Sequence, residues 1–219
     1  MNITFELIKN DPDIKTYITK ADESLKALGY TEHSFAHVGR VSEDAAYILT
    51  TLGYSEREVE LARIAGYLHD IGNLVNRVDH SQSGALMAFR ILDKIGMPAD
   101  EIATVVTAIG NHDEGTGVAV NPVAAALIIA DKCDVRRTRV RNSEPSTFDI
   151  HDRVNYSVER SSLSISETMP LFMRMIEESC NYSGVKTRLV ELRFQGKDHA
   201  MMTNLSESLY LKVAVLNVM

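Results

Sequence analysis

Apolar residues in the first part of the chain recur at three- and four-residue intervals, the spacing of one buried helix face. Capping and turn residues separate these amphipathic segments. Ser55 and Glu58 have the spacing of a capping box, and Asn121 before Pro122 is a typical helix start. The pattern predicts helices at about residues 13–29, 32–53, 81–95 and 123–134. It also predicts a helix that is capped by Ser55 and another that begins near Pro98.

The pattern changes after about Thr147 to alternation of apolar and polar residues, which is typical of strands. The alternating segments are residues 162–166, 190–194 and 209–215, and a helical pattern covers residues 169–182. The sequence therefore predicts a mainly α protein, with a helical domain at residues 1–146 and a small α+β region at residues 147–219. This region could cover the helical core, pair with a second copy through a strand edge to form a homodimer, or bind a regulator, and the sequence does not choose among these roles.

The chain has 219 residues, a net charge of -7 and two cysteines, Cys133 and Cys180. The acidic balance argues against general nucleic-acid binding, which requires clustered lysine and arginine. There is no apolar run of membrane-spanning length, and the first residues lack the basic start of a secretion signal. Cysteines without a CxxC motif favour free, buried thiols. These features predict a cytoplasmic protein without a membrane partner.

Charged residues stand at positions that the helical pattern predicts to be buried. His69 and Asp70 directly follow an apolar stripe that ends at Leu68. His37 begins an apolar helix face, and Asp131 ends the most apolar helix of the chain. Burying a carboxylate is costly unless it is paired or bound to a metal. A bound cation is the simplest compensation.

Two further histidines, His80 and His112, lie near predicted helix ends. The chain thus offers four imidazoles and two carboxylates as candidate metal ligands: His37, His69, Asp70, His80, His112 and Asp131. A carboxylate can bridge two divalent ions while neutral imidazoles complete each coordination shell. Convergence of these side chains would create a site for one or two ions.

The order and local context of these six residues resemble the ligand series of the HD-domain metal-dependent phosphohydrolases, over about residues 30–142. The nearest match is the dinuclear branch that includes bacterial diadenosine tetraphosphate hydrolases. The resemblance implies an HD-domain helical bundle around the metal site. It also implies that His80 and His112 build a second ion site and that Asp70 bridges the two ions. Iron, manganese or zinc is expected, since histidine-rich sites suit these ions better than magnesium.

The resemblance does not extend to the substrate. In the diadenosine tetraphosphate hydrolase branch a lysine commonly follows the His-Asp pair, whereas here Asn73 stands three residues after Asp70. The Gly-Tyr-Pro signature of the cyclic-dinucleotide phosphodiesterase branch is also absent near His112. Cyclic di-GMP is therefore not an expected substrate.

The expected reaction is hydrolysis of a phosphate ester or anhydride by a metal-bound hydroxide. The expected substrate is a small phosphorylated molecule, in the first place a nucleotide. The sequence has no Gly-x-Ser-x-Gly elbow and no glycine-rich phosphate loop, which excludes two competing mechanisms. Asp70 is the expected catalytic bridge. Asp113 and Asp134 are candidate proton donors to the leaving group, and Asp134 could instead support a metal ligand, since it follows Asp131 by three residues.

A run of cations begins directly after Asp131 and could clamp the substrate phosphate, because arginine presents paired donors to phosphate oxygens. The candidate substrate-binding residues are Arg40, Lys132, Arg137 and Arg141. The alternative is a solvated helix end, where cations favour the helix dipole. His33 could face the same cleft as His37, but an exposed or supporting position is preferred.

Two other functions fit the same residues. The ligand set also resembles that of mixed-valent di-iron oxygenases, which activate oxygen rather than water. A non-catalytic regulatory module could use the metal centre as a nucleotide pocket and the C-terminal region to transmit a signal. The presence of all six ligand types argues against the regulatory module, whereas ligand identity alone does not separate the hydrolase from the oxygenase.

Overall fold

The computed structural model describes residues 3–113, 117–166 and 189–196. Within these ranges the protein is mainly α, as the sequence predicts. The α-helices are α1 (Phe5–Asn10), α2 (Pro12–Ala27), α3 (Phe35–Leu52), α4 (Glu56–Leu68), α5 (His80–Lys94), α6 (Ala99–Gly110), α7 (Pro122–Cys133) and α8 (Ile150–Ser157). Strands β1 (Val158–Ser166) and β2 (Leu189–Gly196) form an antiparallel sheet after the helices.

The helices begin and end at the capping residues that the sequence offers. The Ser55 hydroxyl accepts a hydrogen bond from the Glu58 backbone N–H, and the Glu58 carboxylate accepts one from the Ser55 N–H, so the capping box is complete. Asn121 caps α7 by accepting from the Ala124 N–H at 2.7 Å. Gly53 ends α3 with a φ of 81°, a left-handed conformation that favours glycine. The predicted helices from α2 to α7 are confirmed.

Two short helices were not predicted. Helix α1 has 6 residues and α8 has 8, too few turns to display a helical period in the sequence. Helix α8 lies in the region that the alternating pattern assigns to the α+β part of the chain. Its start is nevertheless encoded locally, because the Asp149 carboxylate accepts a hydrogen bond from the Asp152 N–H at 2.8 Å.

The core lies where α3 packs against α4 and α7. Helix α7 is central: 9 of its 12 residues are buried, which explains why its apolar residues occupy every face. Cys133, at the end of α7, is a free buried thiol as predicted, and Cys180 lies outside the described residues. No helix in the part of the chain that the structure describes has the length and apolar character needed to cross a bilayer.

Helices α3 and α4 approach each other closely at Gly66. A Cβ atom there would lie 2.7 Å from the Ser42 Cα, so the crossing leaves no room for a side chain. The Ser42 hydroxyl donates a hydrogen bond to the Arg63 carbonyl at 2.9 Å across the same contact. This approach brings His37 on α3 and His69 at the end of α4 together, with 5.2 Å between the ring centroids.

Strand β1 packs onto the helical core. Leu163 and Ile165 are partly buried against it, which explains the alternation of apolar and polar residues in this strand. The first two predicted strands are therefore confirmed. The helix predicted at residues 169–182 and the strand predicted at residues 209–215 lie outside the described residues.

Candidate metal centre

The six candidate ligands converge at one largely buried point, although they come from five helices. His37 lies in α3, His69 and Asp70 follow α4, His80 begins α5, His112 follows α6 and Asp131 lies in α7. Their ligand atoms form three overlapping groups, each within 4.8 Å: His37, His69 and Asp70; His69, His112 and Asp131; Asp70, His80 and His112. The helical bundle thus gathers all six predicted ligands at one place.

Asp70 stands between two pairs of imidazoles. Its Oδ2 atom lies 3.4 Å from His37 Nε2 and 3.2 Å from His69 Nε2. Its Oδ1 atom lies 3.5 Å from His80 Nε2 and 4.0 Å from His112 Nε2. Each carboxylate oxygen therefore faces its own pair of nitrogen donors, which is the arrangement required of a bridging carboxylate.

Asn73 fixes the orientation of this carboxylate, and the sequence analysis noted it only as a departure from the family pattern. Its amide donates hydrogen bonds to Asp70 Oδ1 at 2.9 Å and to the Asp70 carbonyl at 3.0 Å. Three-residue spacing in the short 3-10 helix Ile71–Leu74 brings the two side chains together. Asp70 Oδ2 receives no such bond and remains available to a cation.

Asp131 completes the cluster on the side of α7. Its Oδ1 atom lies 3.3 Å from His37 Nε2 and 3.7 Å from His69 Nε2. Lys132 Nζ donates to the other oxygen, Oδ2, at 2.8 Å. Burial raises the pKa of Asp131, but Lys132 and His37 hold it well below its ordinary value. The group therefore presents a carboxylate rather than a carboxylic acid.

Three of the imidazoles present the same nitrogen to the cluster. Nδ1 of His69, His80 and His112 donates to the carbonyls of Gly66 at 2.8 Å, Arg77 at 3.1 Å and Ile109 at 2.7 Å, respectively. Because a carbonyl only accepts hydrogen bonds, these contacts place the proton on Nδ1. Each Nε2 lone pair then points into the cluster, as metal coordination requires.

The pKa values of these histidines agree with neutral ligands. Burial, with a contribution from His69, lowers the pKa of His112 to about 3. Burial also lowers the pKa of His80. His37 differs, because Asp131, Asp134 and Asp70 outweigh burial and Arg139 and raise its pKa to about 9. When no cation is bound, a proton on His37 compensates the negative charge of the three surrounding carboxylates.

The residues fit a metal ion, because several potential ligand atoms at the centre have no hydrogen-bond partner among the described residues. His37 Nε2, His69 Nε2 and Asp70 Oδ2 are fully buried and form no hydrogen bond with any described residue. Buried polar atoms are normally satisfied, so three such atoms facing one another indicate a site for a cation. Nitrogen and oxygen donors of this kind suit first-row divalent ions.

Asp134 contacts Nδ1 of His37, whereas the other ring nitrogen, Nε2, faces the cluster. The buried Asp134 Oδ2 atom accepts a hydrogen bond from His37 Nδ1 at 2.8 Å. Arg136 Nε donates to Oδ1 at 2.8 Å, and Arg139 donates to the Asp134 carbonyl at 2.7 Å. This geometry favours the supporting role for Asp134 over proton donation to a leaving group.

We expect Asp134→Asn to weaken metal binding by about 10- to 100-fold, because the neutral amide no longer polarises His37 toward the ion. Competition with a chromophoric chelator measures the affinity. Asp44→Asn is the matched control, because Asp44 lies on the same helix as His37 and pairs with Arg40, 3.7 Å away. Equal affinity of Asp134→Asn and the parent would contradict the supporting role.

His33 lies against the cluster, which fits the supporting position that the sequence analysis allowed and not the exposed one. Its Nε2 atom lies 4.0 Å from Asp70 Oδ2, and its ring packs edge-on against His37. Nδ1 donates to the Thr31 carbonyl at 2.7 Å, so Nε2 again carries the lone pair. The four-residue spacing from His37 was the available signal, but His33 precedes α3 and its direction depends on a non-helical segment.

The four predicted phosphate-binding cations fall into two groups. Lys132 contacts the ligand Asp131, and Arg40 Nε lies 3.7 Å from Asp134 Oδ1. Arg137 instead donates to the Tyr156 carbonyl and stacks on that ring, whereas Arg141 pairs with Asp22. The structure therefore does not bring the last two to the cluster, because α7 ends at Cys133 and the basic run continues as a non-helical segment with a single 3-10 turn.

Comparison with known proteins finds a family model, a relative and a solved structure that are similar to this chain. Residues 34–136 match the family model of the HD domain. The chain is 28% identical over 195 residues to the uncharacterized protein MJ1020 of Methanocaldococcus jannaschii, covering 78% of this chain and 74% of that protein. A solved structure described as a predicted HD superfamily hydrolase, from an uncultured Thermotogales bacterium, aligns at 27% identity with a TM-score of 0.42, covering 60% of this chain and 73% of the other. The chain is thus similar to the HD domain over the helical region that contains all six candidate ligands.

Proposed function

We propose that this protein is a metal-dependent phosphohydrolase of the HD-domain class, with two divalent ions bridged by Asp70. The observation that carries the proposal is the division of the Asp70 carboxylate between two imidazole pairs, 3.2 to 3.5 Å away for three of the four nitrogens and 4.0 Å for His112. The match of residues 34–136 to the HD domain supports the same conclusion.

In this proposal His37, His69, Asp70 and Asp131 would hold the first ion, and Asp70, His80 and His112 would hold the second. Bound divalent ions lower the pKa of water toward neutrality and neutralise charge on a phosphoryl group. The side chains of the cluster supply fixed donors that need little rearrangement, because each His69, His80 and His112 ring is held by its backbone hydrogen bond.

Asp113 is the proposed proton donor to the leaving group. It is partly exposed and lines a cavity together with His112, whereas Asp134 is fully buried behind His37. A proton donor must reach the departing oxygen, and a group at the cavity wall satisfies this condition better than one behind a metal ligand.

A nucleotide is the proposed substrate because the centre adjoins an apolar cavity. The cavity has a volume of about 240 Å³ and is lined by His112, Asp113, Gly117, Val118, Ala119, Ala125 and Ile128. Ala125 and Ile128 belong to α7, the helix that carries Asp131, so part of the cavity wall and one candidate ligand lie on the same helix. An uncharged flat group such as a nucleobase suits this lining, with its phosphate directed toward the histidines.

The test is release of inorganic phosphate from a panel of nucleotides and simple phosphate esters by protein loaded with manganese, iron or zinc. We expect hydrolysis of at least one nucleotide, faster than that of a phosphate ester without a base. Loss of activity on chelation and its return on adding metal would support the metal requirement. Absence of phosphate release with every metal and substrate, in a protein shown to contain metal, would contradict the proposed function.

A further inference from the structure

Arg77 lies at the His80 edge of the metal centre, in the turn that precedes α5. Its Nη1 atom is 3.3 Å from His80 Nε2 and 3.4 Å from Asn73 Oδ1. Its guanidinium lies over the Tyr30 ring, 5.8 Å from the centroid. The guanidinium therefore contacts the candidate ligand His80, the neighbouring Asn73 and the Tyr30 ring, none of which carries a negative charge.

The charge of Arg77 distinguishes it from the other cations near the centre. Among the residues that the structure describes, no carboxylate forms an ion pair with Arg77. Each other cation that contacts a residue of the cluster or Asp134 faces an acid: Arg40 with Asp44, Lys132 with Asp131, Arg136 with Glu32 and Asp134, and Arg139 with Asp134. Arg77 therefore lies beside the cluster without a carboxylate in direct contact with its guanidinium, so its charge can attract an anion there.

An anion could replace His80 as the hydrogen-bond partner of Arg77 when a metal ion binds to His80. His80 Nδ1 donates to the Arg77 carbonyl, so Nε2 is the acceptor of the guanidinium hydrogen bond. Use of that lone pair by a metal ion would remove the acceptor from Arg77. The guanidinium would then have unsatisfied donors beside a second positive charge, and an anion lying between them would compensate both.

We infer that Arg77 binds the phosphate group of the substrate at the His80 edge of the centre, an inference that rests on the proposed function. The planar guanidinium presents paired donors that match phosphate oxygens. The cation–π contact with Tyr30 restricts the orientation of the guanidinium and reduces the entropy lost on binding. Arg77 thus takes a role that the sequence analysis assigned to four other cations, of which Arg137 and Arg141 lie away from the cluster.

The test is calorimetric titration of inorganic phosphate into manganese-loaded parent, Arg77→Gln and Arg77→Lys proteins, with the manganese content of each measured beforehand. We expect phosphate affinity to fall by about 10- to 100-fold in Arg77→Gln and by less in Arg77→Lys, which keeps the charge. Manganese content should be equal in all. Arg90→Gln is the matched control, because Arg90 is exposed on α5, and it should bind phosphate like the parent.

Three results would overturn the inference: no phosphate binding by the parent, equal phosphate affinity in Arg77→Gln and the parent, or loss of manganese from Arg77→Gln. The last result would make Arg77 a support of the metal site. Failure of the proposed function is distinguishable, because it appears as absent hydrolysis in the substrate panel. If phosphate binding still depends on Arg77 in that case, the residue binds an anion in a centre that is not hydrolytic.

Discussion

Asp70→Asn is expected to lose most of its bound metal and to reduce phosphohydrolase activity by at least about 1000-fold. The amide has nearly the same shape as the carboxylate, but it has no charge and only one acceptor oxygen. That oxygen cannot serve both the His37 and His69 pair and the His80 and His112 pair. Metal content per chain and the rate of phosphate release measure the two effects.

Asp79→Asn is the matched control for this change. Asp79 lies directly before α5, is exposed, and has a φ of 56° that asparagine also adopts readily. We expect this variant to retain the metal content and activity of the parent. An Asp70→Asn protein that keeps two ions per chain would contradict the bridging role, even if its activity were low.

Gly72→Ala is expected to destabilise the protein by about 3 kcal/mol, at the upper end of the usual range for overpacking. A Cβ atom at Gly72 would overlap the His80 carbonyl oxygen and the Gly84 backbone nitrogen, and would lie 2.7 Å from Ser83 Oγ. Two of these atoms belong to the backbone of α5, so relief requires movement of the helix that carries His80. Urea unfolding, monitored by circular dichroism, measures the change in the free energy of unfolding.

Gly39→Ala is the comparison for the glycine substitution. Gly39 lies within α3, and a Cβ atom there would meet no atom within 4 Å. Alanine should stabilise this position by about 0.5 to 1 kcal/mol, because it restricts the unfolded chain and favours the helix. If Gly72→Ala unfolded at the same urea concentration as the parent, the close packing of the turn against α5 would be contradicted.

The helical part of the fold was predictable because its signals are local. The capping box at Ser55, the left-handed glycine at position 53 and the Asn121 cap each act within one turn of the helix that they limit. The six candidate ligands were also found from the sequence, since buried helix positions rarely hold unpaired charges. Their convergence at 3 to 4 Å could not be derived, because it depends on how α3, α4 and α7 pack.

The roles of the cations could not be predicted from spacing. Arg141 pairs with Asp22, 119 residues away in the chain, and Arg136 pairs with Glu32, 104 residues away. Only the folded chain decides which arginines meet an acid and which stay available. Arg77 carries no sequence signal of its own, and its position beside His80 arises from the turn before α5.

The central claim is that Asp70 bridges two ions, and counting metal per chain tests it most directly. Plasma mass spectrometry on protein prepared without chelators should find two ions in the parent and about one in His80→Ala and in His112→Ala. Loss of one ion in both variants is expected because each removes a donor from the same half of the cluster. A single ion in all three proteins would contradict the bridged centre.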